Sequence, residues 1–492
     1  MRRSASVLAL SVAFALASCA TSVSADGPSD AQTSAPGRAS SASSPAPMPA
    51  PAKILPASID FTLANGMRVF LVPDHEVPVV SFEVRLAGGS IEDPAGKEGA
   101  TSLLGALLTK GAGDRNAAQF QEDVEFVGGA LGAFAGPRWV SVRAEFLEGD
   151  SDLALELLGD VLLRPRLDAA EFEKEKGLAL DGLAAAREEP QQLMGYYWAH
   201  WVFGKHEYAR PVTGDEGSLA SITLADVKSA AARQLAPQRA WLAVAGDFDP
   251  AEMRKRVESR FGAWTGSAPA AAKVSAWRGS PGGGVLLVDK EDALQTYFQC
   301  GNLGFPRTDP DYVARTVANA VLGERFTSRL NKTLRTDKGF TYGAGSRFDD
   351  GRQGMFFVYS QGTATDMTAA CLPLAESIYR TFVAGGLTPD EFASTRAYIK
   401  GRFGLGFETG AQQASTILDL AFEGDPRDMV DGYLARVDAV TLEEVNRVVR
   451  ERFPTKLDWV VIGRASVCRD VVSKFGEVTE CKVMTPGFGP SR

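Results

Sequence analysis

The sequence contains few of the residues that build metal centres or disulfide-rich folds. Among 492 residues there are only 3 histidines and 5 cysteines, and so few cysteines exclude a scaffold held together by disulfides. The formal net charge is −9, whereas nucleic-acid-binding domains usually carry a basic excess. Hydrophobic residues make up 45 % of the chain and charged residues 23 %, which is typical of globular proteins. At about 100–200 residues per domain, the length predicts roughly two to four domains.

The N-terminus has the pattern of an export signal. Two arginines precede an apolar run too short to span a bilayer, and small residues then lead to Cys19, as in secretory signal peptides. Residues 16–19, Leu-Ala-Ser-Cys, resemble the lipobox of bacterial lipoproteins. Cleavage of an ordinary signal peptide at Ala25 is the alternative. We expect a lipoprotein signal peptide over residues 1–18, lipidation of Cys19 and a periplasmic location, at the outer rather than the inner membrane.

The segment after the cysteine has the composition of a tether. Residues 19–57 are dominated by alanine, serine and proline and cannot bury enough apolar surface to fold. We therefore expect a disordered connection between the lipid and the first folded domain. No later apolar run is long enough for a membrane span, so the lipid is the expected membrane contact.

The rest of the chain contains an internal duplication. A helix capped by Thr223 is followed by a strand that ends at Gly246, and the same order recurs from Thr441 to Gly463. The offset is 218 residues at the threonines (441 − 223) and 217 at the glycines (463 − 246). A constant offset of this kind indicates two copies of one domain.

The duplication sets the predicted domains. We expect an N-terminal domain over residues 58–265, a linker rich in glycine, proline and alanine over residues 266–284, and a C-terminal domain over residues 285–482. Strands and helices mix without strict alternation, which favours an α+β fold of layered sheet and helices. Two such homologous domains predict a clamp around a chamber.

Three segments resemble the pitrilysin/insulinase family of zinc peptidases. They are the opening strand at residues 63–75, the next strand at residues 79–90 and a later segment at residues 203–214. The family binds zinc through two histidines of an H-x-x-E-H motif on a helix, with a downstream glutamate as the third ligand. The glutamate of the motif polarises the zinc-bound water.

The positions that match this zinc motif hold other residues. The helix expected at residues 99–111 has Ser102, Gly105 and Ala106 at the functional positions, and Gly182 occupies the downstream ligand position. No two histidines of the chain lie four residues apart, so a shift of the alignment does not restore the ligand pair. We expect no metal and no other cofactor in this chain.

The second half retains another family element. Arg335 and Tyr342 are seven residues apart, the spacing of a pair that reaches the zinc-bound substrate in active family members. An arginine offers several planar donors to peptide carbonyls, and a tyrosine hydroxyl can donate to the developing oxyanion. The resemblance implies catalytic roles for both. The alternative is that they are only a helix end and a strand start retained for packing.

A glycine-rich segment resembles the strand that binds substrate in the family. Gly129, Ala130, Leu131 and Gly132 occupy this segment, and Gly132 stands where the family has an asparagine. Backbone pairing with an extended peptide remains available, without the asparagine side chain. We therefore expect substrate binding at these four residues.

The resemblance implies a division of labour between two chains. Some bacterial family members consist of one chain with the zinc motif and another with the Arg/Tyr pair, and this chain has the second pattern. We predict a heterodimer in which Arg335 and Tyr342 act beside the zinc of a homologous partner on a peptide substrate, the lone chain being inactive. The alternatives are a non-catalytic scaffold and a lipoprotein that binds peptides without cleaving them.

Four cysteines follow the tether. Cys468 and Cys481 flank the last expected helix and strand, and in an oxidising envelope they could form a disulfide. Free thiols are the alternative at this point. Cys300 and Cys371 are expected to be small buried apolar residues.

Overall fold

The computed structural model describes residues 54–490, with the side chains of Pro190 and Arg352 excepted. The strands of the N-terminal half are β1 (Ile59–Thr62), β2 (Arg68–Pro73), β3 (Val79–Ala87), β4 (Gly111–Ala112), β5 (Arg115–Asn116), β6 (Ala130–Ala135), β7 (Trp139–Leu147) and β8 (Ala240–Gly246). Its helices are α1 (Ala100–Leu108), α2 (Ala117–Phe126), α3 (Ser151–Leu163), α4 (Ala169–Glu188), α5 (Met194–Phe203), α6 (Glu216–Ser221), α7 (Leu224–Gln234) and α8 (Pro250–Phe261).

The C-terminal half follows the same plan. Its strands are β9 (Gly284–Asp289), β10 (Gln295–Leu303), β11 (Ala344–Asp349), β12 (Met355–Ser360), β13 (Thr363–Ala364), β14 (Asp458–Gly463) and β15 (Glu477–Lys482). Its helices are α9 (Tyr312–Asn319), α10 (Arg329–Asn331), α11 (Thr368–Gly385), α12 (Pro389–Phe403), α13 (Gly410–Glu423), α14 (Asp428–Asp431), α15 (Tyr433–Ala439), α16 (Leu442–Arg452) and α17 (Ala465–Val472).

Each half is built on one mixed sheet, and the two sheets share a strand order. The first sheet runs β1-β2-β8-β3-β7-β6, and the second runs β15-β9-β14-β10-β12-β11, with β13 beside β10. Both sheets contain a central parallel pair, β2 with β8 and β9 with β14, next to an antiparallel strand, β3 or β10. The outer neighbour differs, since β1 is antiparallel to β2 whereas β15 is parallel to β9. Thr223 and Thr441 each close a capping box at the start of the equivalent helices α7 and α16. The α+β class and the duplication are confirmed.

The two halves exchange helices. Helix α13 of the C-terminal half covers the outer face of the first sheet, where Leu418 packs with Phe70 and Val72. Helix α5 of the N-terminal half covers the second sheet, where the Trp198 and Phe357 rings lie 6.2 Å apart. Because burial of these apolar faces stabilises the pair, the halves form one interlocked body. A cleft of about 680 Å³ remains between them.

The residues at both ends of the described chain cross to the opposite half. Leu55 is fully buried, and its N–H donates to Asp431 Oδ1 at 3.2 Å. At the other end, Arg187 donates to the carbonyl of Gly487 at 2.9 Å, and Phe488 stacks on Tyr196 with ring centroids 5.0 Å apart. Between the halves, residues 262–283 form neither helix nor strand.

The cysteines of the described chain are free thiols. The disulfide between Cys468 and Cys481 is therefore not formed: Cys468 is buried on α17 near the Thr296 hydroxyl, 3.7 Å away, and Cys481 is half-buried on β15. Burial raises the pKa of the Cys481 thiol to about 11. Cys300 and Cys371 are buried, as predicted.

The N-terminal predictions concern residues 1–57. The signal peptide, Cys19 and residues 20–53 of the tether lie outside the described residues and stay predictions, whereas Leu55 at the end of the expected tether is buried against the C-terminal half. From residue 54 to residue 490, no helix combines the length and apolar character that crossing a membrane requires.

Candidate functional site

Helix α1 carries the first three positions that match the zinc motif. Ser102 and Ala106 are half-buried, and Gly105 is buried against edge strand β6. A β-carbon on Gly105 would lie 3.5 Å from the backbone nitrogen of Ala135. The helix therefore rests on the strand in van der Waals contact, and it offers no imidazole or carboxylate at these positions.

Helix α4 carries the fourth position. Gly182 is exposed, and a β-carbon there would meet no atom within 4 Å. About two turns earlier on α4, Glu175 pairs with Lys110, which lies just after α1, with 3.2 Å between Oε1 and Nζ. An ammonium group thus balances a carboxylate beside the altered motif. Among residues 54–490, no cluster of three or more His, Cys, Asp or Glu side chains could hold a metal ion.

The segment expected to bind substrate forms the free edge of the first sheet. Ala130, Leu131 and Gly132 lie in β6, which pairs with β7 on one side and has no further strand in the described sheet. Gly129 precedes β6, and a β-carbon there would lie 2.3 Å from the ring of Phe146. Gly129 therefore allows a close contact with the core, while the outer rim of β6 remains available to an extended peptide.

Arg335 and Tyr342 lie at the corresponding edge of the second sheet. Arg335 is exposed in a π-helical turn, Lys332–Asp337, and its guanidinium carbon lies 4.9 Å from the Phe326 ring centroid. Tyr342 is 75 % exposed and immediately precedes Gly343 and strand β11. Within residues 54–490, neither side chain has an ion-pair partner.

The neighbours of these two residues are buried. Leu334 is fully buried and Thr341 is 7 % exposed. Gly339 between them has a φ of +65°, a value that favours glycine, and its N–H donates to the Arg335 carbonyl at 3.0 Å. This tight turn holds both side chains at one end of β11. If Arg335 and Tyr342 served only packing, their side chains would be buried. In the structure Leu334 and Thr341 are buried instead, and Arg335 and Tyr342 are exposed.

The sequence interpretation missed a charged network between the halves. On β3, Arg85 and Glu83 are 2.8 Å apart, both nearly fully buried, and Arg85 also pairs with Asp419 of α13. Burial by itself raises the pKa of Glu83, but the charges of Arg85 and Arg143 outweigh it and hold that pKa below its ordinary value. Two charges inside an otherwise apolar strand are the signal that could have revealed this network.

Comparison with known proteins agrees with this architecture. A family model described as Insulinase (Peptidase family M16) matches residues 68–216, and one described as Peptidase M16 inactive domain matches residues 221–399. A protein of Mycobacterium leprae named as an uncharacterized zinc protease is 27 % identical over 414 residues, 82 % of this chain and 91 % of that protein. A Bacillus subtilis protein with the same description is 24 % identical and covers 80 % of this chain and 95 % of its own.

Solved structures share the fold. The peptidase M16 inactive domain from Pseudomonas fluorescens superposes with a TM-score of 0.77 at 23 % identity, over 83 % of this chain and 98 % of that one. A protease from Helicobacter pylori superposes with a TM-score of 0.74 at 21 % identity, over 83 % and 100 %. The chain belongs to the insulinase family of peptidases, family M16.

Proposed function

We propose that this chain is the non-zinc subunit of a heterodimeric zinc metallopeptidase of the cell envelope. It supplies Arg335 and Tyr342 to an active site whose zinc belongs to a homologous partner chain. The observation that carries the proposal is the exposure of both side chains at the end of β11, while Leu334 and Thr341 beside them are buried.

The altered zinc positions explain why a partner is required. A catalytic zinc needs three protein ligands and an open position for water. Ser102, Gly105, Ala106 and Gly182 provide no such ligands. Hydrolysis therefore depends on a second chain with an intact motif.

Each side chain has a distinct role at the composite site. The zinc of the partner provides an activated water. Arg335 is always charged and donates in a plane to carbonyl oxygens of the bound peptide. Tyr342 donates its hydroxyl proton in a hydrogen bond to the oxyanion that forms on the attacked carbonyl. The anchored turn between them fixes their relative positions, so little reorganisation is needed when charge develops.

The edge strands suggest how the substrate is held. Strand β11 has a free edge in the described sheet, directly after Tyr342, so an extended peptide can pair there with its scissile bond near the hydroxyl. Strand β6 offers a second free edge through Gly129, Ala130, Leu131 and Gly132. In the heterodimer these edges contribute backbone contacts that tolerate different side chains.

The test is to purify the native lipoprotein from its own envelope. We expect a homologue with an H-x-x-E-H motif and bound zinc to co-purify, and the complex to hydrolyse unstructured peptides. Mass spectrometry identifies the partner, and zinc analysis assigns the metal to it. Recovery of the chain alone and inert would overturn the proposal and leave the scaffold and the peptide-binding lipoprotein.

A further inference from the structure

A pocket of about 360 Å³ lies where α5 crosses the sheet of the C-terminal half. Arg347 of β11 lines it, exposed, with its guanidinium carbon 5.1 Å from the Phe357 ring centroid. Stacking on this ring holds the guanidinium in place. Within residues 54–490, Arg347 makes no ion pair, although Asp349 lines the same pocket two residues further along β11.

The arginines at the corresponding crossing in the N-terminal half are paired. Arg85 pairs with Asp419, and Arg138 pairs with Glu423, both acids lying on α13. Helix α5 crosses the second sheet in the equivalent way, but its ten residues include neither aspartate nor glutamate. The crossing helix therefore offers no carboxylate to Arg347, and a carboxylate from outside the chain can complete the pairing.

The rest of the pocket combines apolar side chains with glutamine, tyrosine and serine side chains. Trp198, Phe357, Met194 and Met355 provide aromatic and flexible thioether surface, which adapts to different apolar side chains. Trp198 Nε1 and Ser360 Oγ are buried without a hydrogen-bond partner in the described chain. A ligand that combines a carboxylate with an apolar group matches this lining.

The pocket opens toward the larger cleft between the halves. Arg347 and Asp349 line both the pocket and the cleft of about 680 Å³. A ligand with its terminal residue in the pocket can therefore extend into the cleft.

We propose that this chain binds the C-terminal end of a short peptide at this pocket. The terminal carboxylate accepts hydrogen bonds from the Arg347 guanidinium, the apolar last side chain packs against Trp198 and Phe357, and the preceding residues lie in the cleft. The site uses residues other than Arg335 and Tyr342 and goes beyond the proposed function. It makes the lone chain a peptide binder whether or not a partner chain is present.

Calorimetric titration of the full mature chain in detergent tests this site. The probe is acetyl-Ala-Ala-Phe with a free carboxylate, compared with the same peptide as a C-terminal amide and with acetyl-phenylalanine. We expect the free acid to bind about tenfold more tightly than the amide, because the amide lacks the charge-assisted contact. Acetyl-phenylalanine should bind more weakly than the peptide because it does not reach the cleft.

Three variants connect the binding to the pocket. Arg347→Gln should reduce the affinity for the acid to that for the amide. Gly195→Leu should block binding, since a β-carbon at Gly195 on α5 meets no atom within 4 Å and the larger side chain fills the pocket without disturbing the helix. Arg450→Gln, an exposed position on α16, is the control and should bind normally. Thermal melts show that each variant is folded.

The results that would overturn this peptide-binding site differ from those that would overturn the heterodimer. Equal affinity for acid and amide, no saturable binding of the acid, or unchanged binding by Arg347→Gln and Gly195→Leu would overturn the site. Acetyl-phenylalanine binding as tightly as the peptide would overturn the peptide assignment in favour of small apolar acids. All of these measurements use the lone chain, so a missing zinc partner does not affect them.

Discussion

Strands β6 and β11 hold the same place in two copies of one sheet, and their surroundings differ. Beside β6, the positions that match the zinc motif hold Ser102, Gly105 and Ala106. Beside β11, Arg335 and Tyr342 are presented to solvent by a turn with buried anchors. The comparison teaches that a duplicated fold can keep its architecture in both halves while the side chains beside equivalent edge strands differ.

The helix crossings differ in the same manner. Where α13 crosses the first sheet, Arg85 is neutralised by Glu83 and Asp419 of this chain. Where α5 crosses the second sheet, Arg347 has no ion pair within residues 54–490 and a pocket remains. The ion pairs at the α13 crossing therefore stabilise the fold, whereas the α5 crossing leaves a pocket that a ligand can occupy.

The largest expected effect is on the activity of the heterodimer. Tyr342→Phe should lower kcat by about 100-fold, as loss of one oxyanion donor does in other peptidases. Arg335→Ala should lower kcat/KM, because it removes donors to the carbonyl oxygens of the bound peptide. Arg450→Ala should leave kcat unchanged. Steady-state kinetics gives the rates, and gel filtration shows whether the complex stays assembled. Unchanged rates in both variants would show that Arg335 and Tyr342 are structural.

The next effect concerns the two crossings. Arg85→Ala should lower the free energy of unfolding by about 3–5 kcal/mol, because it leaves the buried Glu83 carboxylate with only the exposed Arg143 as a cationic partner. Arg347→Ala at the other crossing should change it by less than about 0.5 kcal/mol. Urea unfolding of both variants measures the difference. Similar losses would show that the two crossings are energetically alike.

A smaller effect separates two glycines at the β6 edge. Gly129→Ala should cost about 1–3 kcal/mol, because the added carbon would lie 2.3 Å from the buried Phe146 ring. Gly132→Ala should be nearly neutral, since its nearest neighbour at 3.2 Å is the ring of the half-exposed Phe134. Thermal unfolding of the two variants checks this. Equal losses would contradict the close contact at Gly129.

The buried network also predicts a pH dependence. The pKa of Glu83 is lower in the folded chain than its ordinary value of about 4.3. Its carboxylate therefore stabilises the fold above that pH and loses this contribution as the pH falls toward the folded pKa. The difference in urea midpoint between the native chain and Glu83→Gln should stay constant from pH 7 to about pH 5 and shrink as the pH falls below about 4.3. A difference that stays constant below about pH 4.3 as well would show that Glu83 is not titrating.

The last prediction is that chelation of metal does not change the stability of the lone chain. Removal of metal with EDTA should leave the thermal midpoint of the lone chain unchanged, because its altered zinc positions provide no ligand set. The same treatment should abolish peptide hydrolysis by the heterodimer. Stoichiometric zinc in the lone chain, or a lower midpoint after chelation, would contradict the assignment of zinc to the partner.

Local pattern predicted much of the fold. The threonine caps at Thr223 and Thr441 were recognisable because a capping box lies within four residues of sequence. The spacing of Arg335 and Tyr342 was equally local. The ion pair between Arg85 and Asp419 was beyond such reasoning, since its partners are 334 residues apart and each residue alone resembles an ordinary charged position.

The sequence by itself determined the duplication and the α+β class, because capped helices and strands recur at a constant offset. The resemblance of the sequence to the insulinase family identified the altered zinc positions and the Arg/Tyr pair. Only the tertiary structure decided that α5 and α13 exchange between the halves, that Arg335 and Tyr342 are exposed, and that Arg347 borders an open pocket. Amphipathic patterning shows which face of an element is buried, but the hydrophobic effect is non-directional and does not specify which partner covers that face.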